Sequence, residues 1–86
     1  MASYRIEWKS SAERDLRNID KQDIPRLIEA VEELANNPFS HQCRKLEGVE
    51  SSYRIRVGNY RIIYQVDTTK KSVTIFHVRH RKDVYR

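Results

Sequence analysis

One cysteine, two glycines, two prolines, one tryptophan and one methionine are all that 86 residues hold of those types. Each scarcity excludes something. A lone Cys43 cannot form an internal disulfide and suits a reducing compartment, so a cytoplasmic protein is expected. It also leaves no Cys/His pattern for zinc. His41, His77 and His80 are not spaced as a helical ligand pair, and no acidic cluster suits magnesium, so neither a metal nor a cofactor is expected. Two glycines cannot build a phosphate-cradling loop. No apolar run approaches the roughly 18–20 residues of a membrane span, and the N-terminus lacks the basic-then-apolar layout of a signal peptide. A membrane partner is therefore not expected. No Ser-His-Asp or Cys-His arrangement emerges from so few candidates.

Charge, by contrast, is plentiful and unevenly placed. The net charge of +5 combines an acidic first half with a basic second half. Residues 1–43 hold six Lys/Arg against eight Asp/Glu, and residues 44–86 hold eleven against four. A concentrated positive face on a small domain points to a polyanionic partner, either nucleic acid or an acidic protein segment.

The length allows one domain, residues 1–86, with a modest core. Tyr4 to Trp8 alternates apolar and charged residues as a half-buried strand does. Ser10-x-x-Glu13 reads as a capping box opening a first helix, with Ala12, Leu16 and Ile19 as its apolar stripe. Ile24, Leu27, Ile28, Val31, Leu34 and Ala35 recur at helical spacing and predict a second helix, with Pro25 in its first turn and Asn36-Asn37-Pro38 at its end. Residues 39–51 read as a connecting loop. A hairpin follows over 52–57 and 60–67, then a last strand from Ser72 to Arg79. That strand has apolar residues on both faces (Val73 and Ile75; Phe76 and Val78), as a strand covered on both sides would. The predicted order is βααβββ: an α+β domain, an antiparallel-rich four-stranded sheet with a helical pair on one face.

The hairpin is the most informative segment. Gly58-Asn59 supplies a two-residue turn, pairing Val57 with Tyr60, Arg56 with Arg61, Ile55 with Ile62 and Tyr53 with Tyr64. Alternation makes one face aromatic and aliphatic, for the helices, and gives the other Arg54, Arg56 and Arg61. Like charges placed directly opposite each other destabilise a sheet, and an anion between them relieves the conflict. Alternation along the last strand lets His77, Arg79 and Arg81 extend this face, while His80 has the other parity. Arginines with a tyrosine or a histidine suit phosphate chemistry, because a guanidinium grips phosphate oxygens bidentately and stabilises developing negative charge.

The element order, the segment Lys45-Leu46-Glu47-Gly48, the hairpin Tyr53 to Tyr64 and the ending Val78-Arg79-His80-Arg81-Lys82-Asp83-Val84-Tyr85 together resemble the RelE/ParE superfamily of prokaryotic type II toxins. The resemblance spans essentially the whole chain. The RelE branch implies a ribosome-dependent mRNA endonuclease that cleaves in the A site without a metal, by attack of a ribose 2′-hydroxyl on the adjacent phosphate. Carried over position by position, it implies a catalytic set of Arg54, Arg56, Arg61, Arg81 and Tyr85, with Lys45, Arg79, His80 and Lys82 against the RNA. Its implied partners are a cognate antitoxin, the ribosome and mRNA, and operator DNA through the antitoxin. Two basic strand positions that are lysines in the best-known members are arginines here. Arginine is not deprotonated in proteins, so the general base falls to Tyr85 or His80. Two other readings stand beside this one: a ParE-like gyrase poison, and an inactive family member that only binds its antitoxin.

Overall fold

A computed structural model describes residues 3–40, 42–46, 48 and 51–80. Its sheet draws on both ends of the chain. Strand β1 (Arg5–Trp8) leads through helices α1 (Ser10–Arg17) and α2 (Ile24–Asn36) to β2 (Arg44–Lys45), β3 (Ser52–Val57), β4 (Tyr60–Asp67) and β5 (Ser72–His80). The sheet order is β1-β5-β4-β3-β2. β1 runs parallel to β5, and the other neighbours are antiparallel. The α+β class stands as read from the sequence, with five strands among the described residues rather than four. The extra one, β2, has two residues paired with β3 inside the predicted loop. A strand that short cannot show alternation, so nothing in the sequence marks it.

The hairpin has the expected register, from Ser52 opposite Gln65 to Val57 opposite Tyr60. Gly58 has φ 59° while Asn59 stays outside the left-handed region, the pattern of a type II′ turn. On the helix-facing side Ile55, Ile62, Tyr64, Val66, Val73, Ile75 and Val78 are buried with Leu27, Val31 and Leu34 of α2 and Ala12 of α1. Tyr64 donates a buried hydrogen bond to the carbonyl of Pro38 (2.8 Å), fixing the segment after α2 to the sheet. Tyr60 donates to Asp23 Oδ2 (2.9 Å), which ties the start of α2 to the hairpin turn. Among the described residues, no helix is long and apolar enough to cross a membrane.

Two local expectations change. The predicted capping box does not form. Lys9, not Ser10, is the N-cap of α1, and no side chain caps it. The Lys9 amide still belongs to the sheet, donating to Ile75 O (2.9 Å), while its carbonyl already receives the amides of Ala12 and Glu13. Strand thus turns into helix within one residue, and Ser11 and Asp15 are freed for other work. The second change concerns β5, whose two apolar faces do not mean cover on both sides. The ladder to β4 shifts register between Ile63 and Tyr64, which face His77 and Ile75, leaving Phe76 as the bulged residue. The bulge returns Val78 to the same buried face as Val73 and Ile75.

Candidate functional site

Cross-strand register arranges the open face in rows. The row nearest the hairpin turn is Arg56, Arg61 and Arg79, directly opposite one another on β3, β4 and β5. The next is Arg44, Arg54, Ile63 and His77 on β2 to β5. A third, Ser52, Gln65, Thr74 and Glu7 on β1, carries no positive charge, and Gln65 Nε2 donates to Ser52 Oγ (3.2 Å). Positive charge is therefore stacked at the turn end of the face and fades along the strands. Arg56 and Arg79 are exposed, while Arg54 and Arg61 are half-buried. Arginines in adjacent register on a sheet suit a phosphate, whose oxygens a guanidinium grips bidentately.

The sequence-predicted residues divide under this geometry. Arg54, Arg56, Arg61 and Arg79 come together on the open face. Lys45 does not join them: it pairs with Tyr53 and so has the parity of the helix-facing side, whereas Arg44, one residue earlier, pairs with Arg54. His80 pairs with Tyr60, and their rings meet edge to face at 5.2 Å on that same side. Arg81, Lys82 and Tyr85 lie outside the described residues.

Sequence reasoning placed His77 on this face by parity but gave it no part in the site, because its defining contact comes from far away. His77 Nδ1 lies 3.1 Å from Asp15 Oδ2, and the same oxygen accepts the Val78 amide at 3.0 Å. One helical turn earlier, Ser11 Oγ donates to Phe76 O (2.7 Å). Beyond the end of β1, α1 thus takes the place of a strand beside β5, and two side chains four residues apart satisfy its exposed edge. Arg79 Nη2 lies 3.2 Å from Nδ1 and 3.5 Å from Nε2 of the same imidazole. Lys9 Nζ sits 5.7 Å from the centre of the Phe76 ring at the near border of this cluster.

Comparisons with known proteins follow this architecture. Residues 6–85 match the sequence model of the ParE toxin of type II toxin–antitoxin system, parDE. Toxin RelG of Mycobacterium tuberculosis is 33% identical over 91 residues, covering 96% of this chain and 97% of its own. Among solved structures, the archaeal RelE–RelB complex from Pyrococcus horikoshii matches with a TM-score of 0.80 at 28% identity, over 92% of this chain and 96% of that one. The isolated RelE toxin of Escherichia coli matches with a TM-score of 0.79 at 25% identity, over 96% and 92%.

Proposed function

This chain belongs to the ParE toxin family of type II toxin–antitoxin systems, with RelE-type toxins as its relatives, and we propose that it is a ribosome-dependent mRNA endonuclease. The observation that carries the proposal is the row Arg56–Arg61–Arg79, three like charges held abreast on an open sheet face. In this reading the row grips the scissile phosphate of mRNA in the A site. Arg56 and Arg61 clamp its oxygens and neutralise the charge that builds up as phosphorus becomes five-coordinate. Arg54, in the next row, binds the neighbouring phosphate. The 2′-hydroxyl attacks phosphorus, the bond to O5′ breaks, and the products are a 2′,3′-cyclic phosphate and a free 5′-hydroxyl. No metal is required by that chemistry. Arg81 is assigned to the leaving oxygen and Tyr85 to base stacking and proton transfer. Arg79 and Lys82 flank the bound strand, and His80, on the helix-facing side with Tyr60, takes no part.

The proposed partner is a cognate antitoxin with an acidic or amphipathic segment suited to the basic face. The complex with an antitoxin is also the form that would engage operator DNA.

The test is translation of a defined message on purified ribosomes, with primer extension to map cuts. Codon-phased cuts by the wild type, lost in Arg61→Ala, support the reading. A wild type and Arg61→Ala that are equally inert overturn it. The match to the ParE model favours a gyrase poison as the second reading. Gyrase-stabilised DNA breaks in expressing cells, without mRNA cuts, would establish that instead.

A further inference from the structure

An arginine row can hold charge but cannot take a proton, since guanidinium keeps its own throughout the working pH range. The 2′-hydroxyl proton must go to another group. Among the described residues, His80 turns away from the row, its ring packed against Tyr60. His77 faces the row's side of the sheet, one-third exposed, across from Ile63 and two residues along the strand from Arg79. Its carboxylate partner is held from two directions: Asp15 is carried by α1, and its Oδ2 also accepts the Val78 amide. Hydrogen-bonding Nδ1–H to Asp15 fixes the tautomer and leaves the Nε2 lone pair as the proton acceptor. Among the described residues, Asp15 from α1 and Arg79 from β5 itself touch the ring, Arg54 of β3 shares its row, and Arg61 of β4 is in the adjacent row. Lys9, past the end of β1, borders Phe76. Arg79 is at once the end of the row and the cation touching the imidazole, so a phosphate gripped by the row lies beside His77.

We propose that His77 is the proton-accepting catalytic residue of the RNA-cleavage site and that Asp15 is its positioning residue. This rests on the endonuclease reading above. The O2′–H proton moves to His77 Nε2 as the O2′–P bond forms. The P–O5′ bond breaks, and O5′ takes a proton from a water molecule. The imidazolium then gives its proton to the hydroxide left behind, which restores the neutral ring.

The experiment is single-turnover cleavage of mRNA on programmed ribosomes across a pH series. It compares the wild type, His77→Gln, His77→Ala with and without added imidazole, and Asp15→Asn, with thermal melts confirming that each is folded. His77→Gln is expected to slow cleavage at least about 100-fold, with the half-saturating toxin concentration unchanged. It is also expected to flatten the rise of rate with pH. Imidazole should restore part of the rate to His77→Ala. Asp15→Asn, which still offers Val78 an acceptor, should slow cleavage by presenting the wrong tautomer. His77→Gln cleaving at the wild-type rate overturns the proposal. So does a slowed His77→Gln that keeps the wild-type pH profile while His77→Ala ignores imidazole, because that pattern marks a support for Arg79. If His77→Ala does not fold, His77→Gln and Asp15→Asn decide through rate and pH profile alone. A wild type that does not cut overturns the endonuclease reading itself, and this proposal with it.

Discussion

Relieving charge at Arg56 should make the domain more stable and less active at once. Arg56 is exposed and directly opposite Arg61, itself directly opposite Arg79. A like-charge cross-strand pair is unfavourable by roughly 0.2–1 kcal/mol, and solvent around Arg56 puts this pair in the lower half of that range. Arg56→Gln removes one repulsion and stabilises by about 0.2–0.5 kcal/mol. Arg56→Glu replaces it by an attraction and stabilises by about 0.5–1 kcal/mol. In a domain of this size that is about 1–4 °C and 2–8 °C in Tm. The increments shrink as salt rises, because an exposed pair is screened within about 10 Å at 0.1 M. Thermal melts at low and high salt measure the gain, and ribosomal cleavage measures the loss, expected in the order wild type, Gln, Glu. A variant with a packing defect would lose both properties together. If Arg56→Glu melts below the wild type at low salt, or its gain ignores salt, the row is not an electrostatic conflict and the reasoning fails.

Asp15→Ala leaves the Val78 amide and His77 Nδ1 without their shared acceptor, for a loss of about 1–3 kcal/mol. Faster hydrogen exchange at Val78 reports it, and Asp15→Asn retains most of that protection. Gly58→Ala forces a side chain onto φ 59° and places a Cβ 2.8 Å from Arg26 Nη1. Arg26 is flexible and can yield, so the loss of about 1–2 kcal/mol in a denaturant melt comes from the backbone and persists in Arg26→Ala. Tyr64 and Tyr60 are both held above the ordinary tyrosine value of 10.0. Burial is the main cause in each, followed by Cys43 at Tyr64 and by the Asp23 hydrogen bond at Tyr60. A raised acid favours its neutral form, so this stabilisation is complete below pH 10 and is lost as pH climbs through the folded-state values. Denaturant melts above pH 10 should show that fall, shallower in Tyr64→Phe. At neutral pH the same variant is weaker by about 1–3 kcal/mol, from the unpaired Pro38 carbonyl.

What was legible in the sequence follows the range of each signal. The hairpin register and its arginine face are local, set by alternation and a Gly-Asn turn, and they appear as predicted. The span of α2 is likewise written in its apolar spacing. β2 was too short to carry a pattern. The bulge at Phe76 inserts one residue and makes a strand buried on one face read as apolar on both. The helix start moved because the Lys9 amide is claimed by a strand near the other end of the chain. The least legible feature is also the one with most chemistry: Asp15 and His77 are 62 residues apart, and no periodicity joins them.

The docking of α1 against β5 also governs when the protein comes into being. Ser11 and Phe76 are 65 residues apart, and β1 closes onto β5 over a similar separation. β1 and α1 are made before β5 and therefore wait for it to emerge from the ribosome. Contacts that distant in sequence are slow to form. Until β5 emerges, the arginine row lacks Arg79 and Asp15 has no imidazole to orient. Without β5, neither the three-arginine row nor the Asp15–His77 pair can exist.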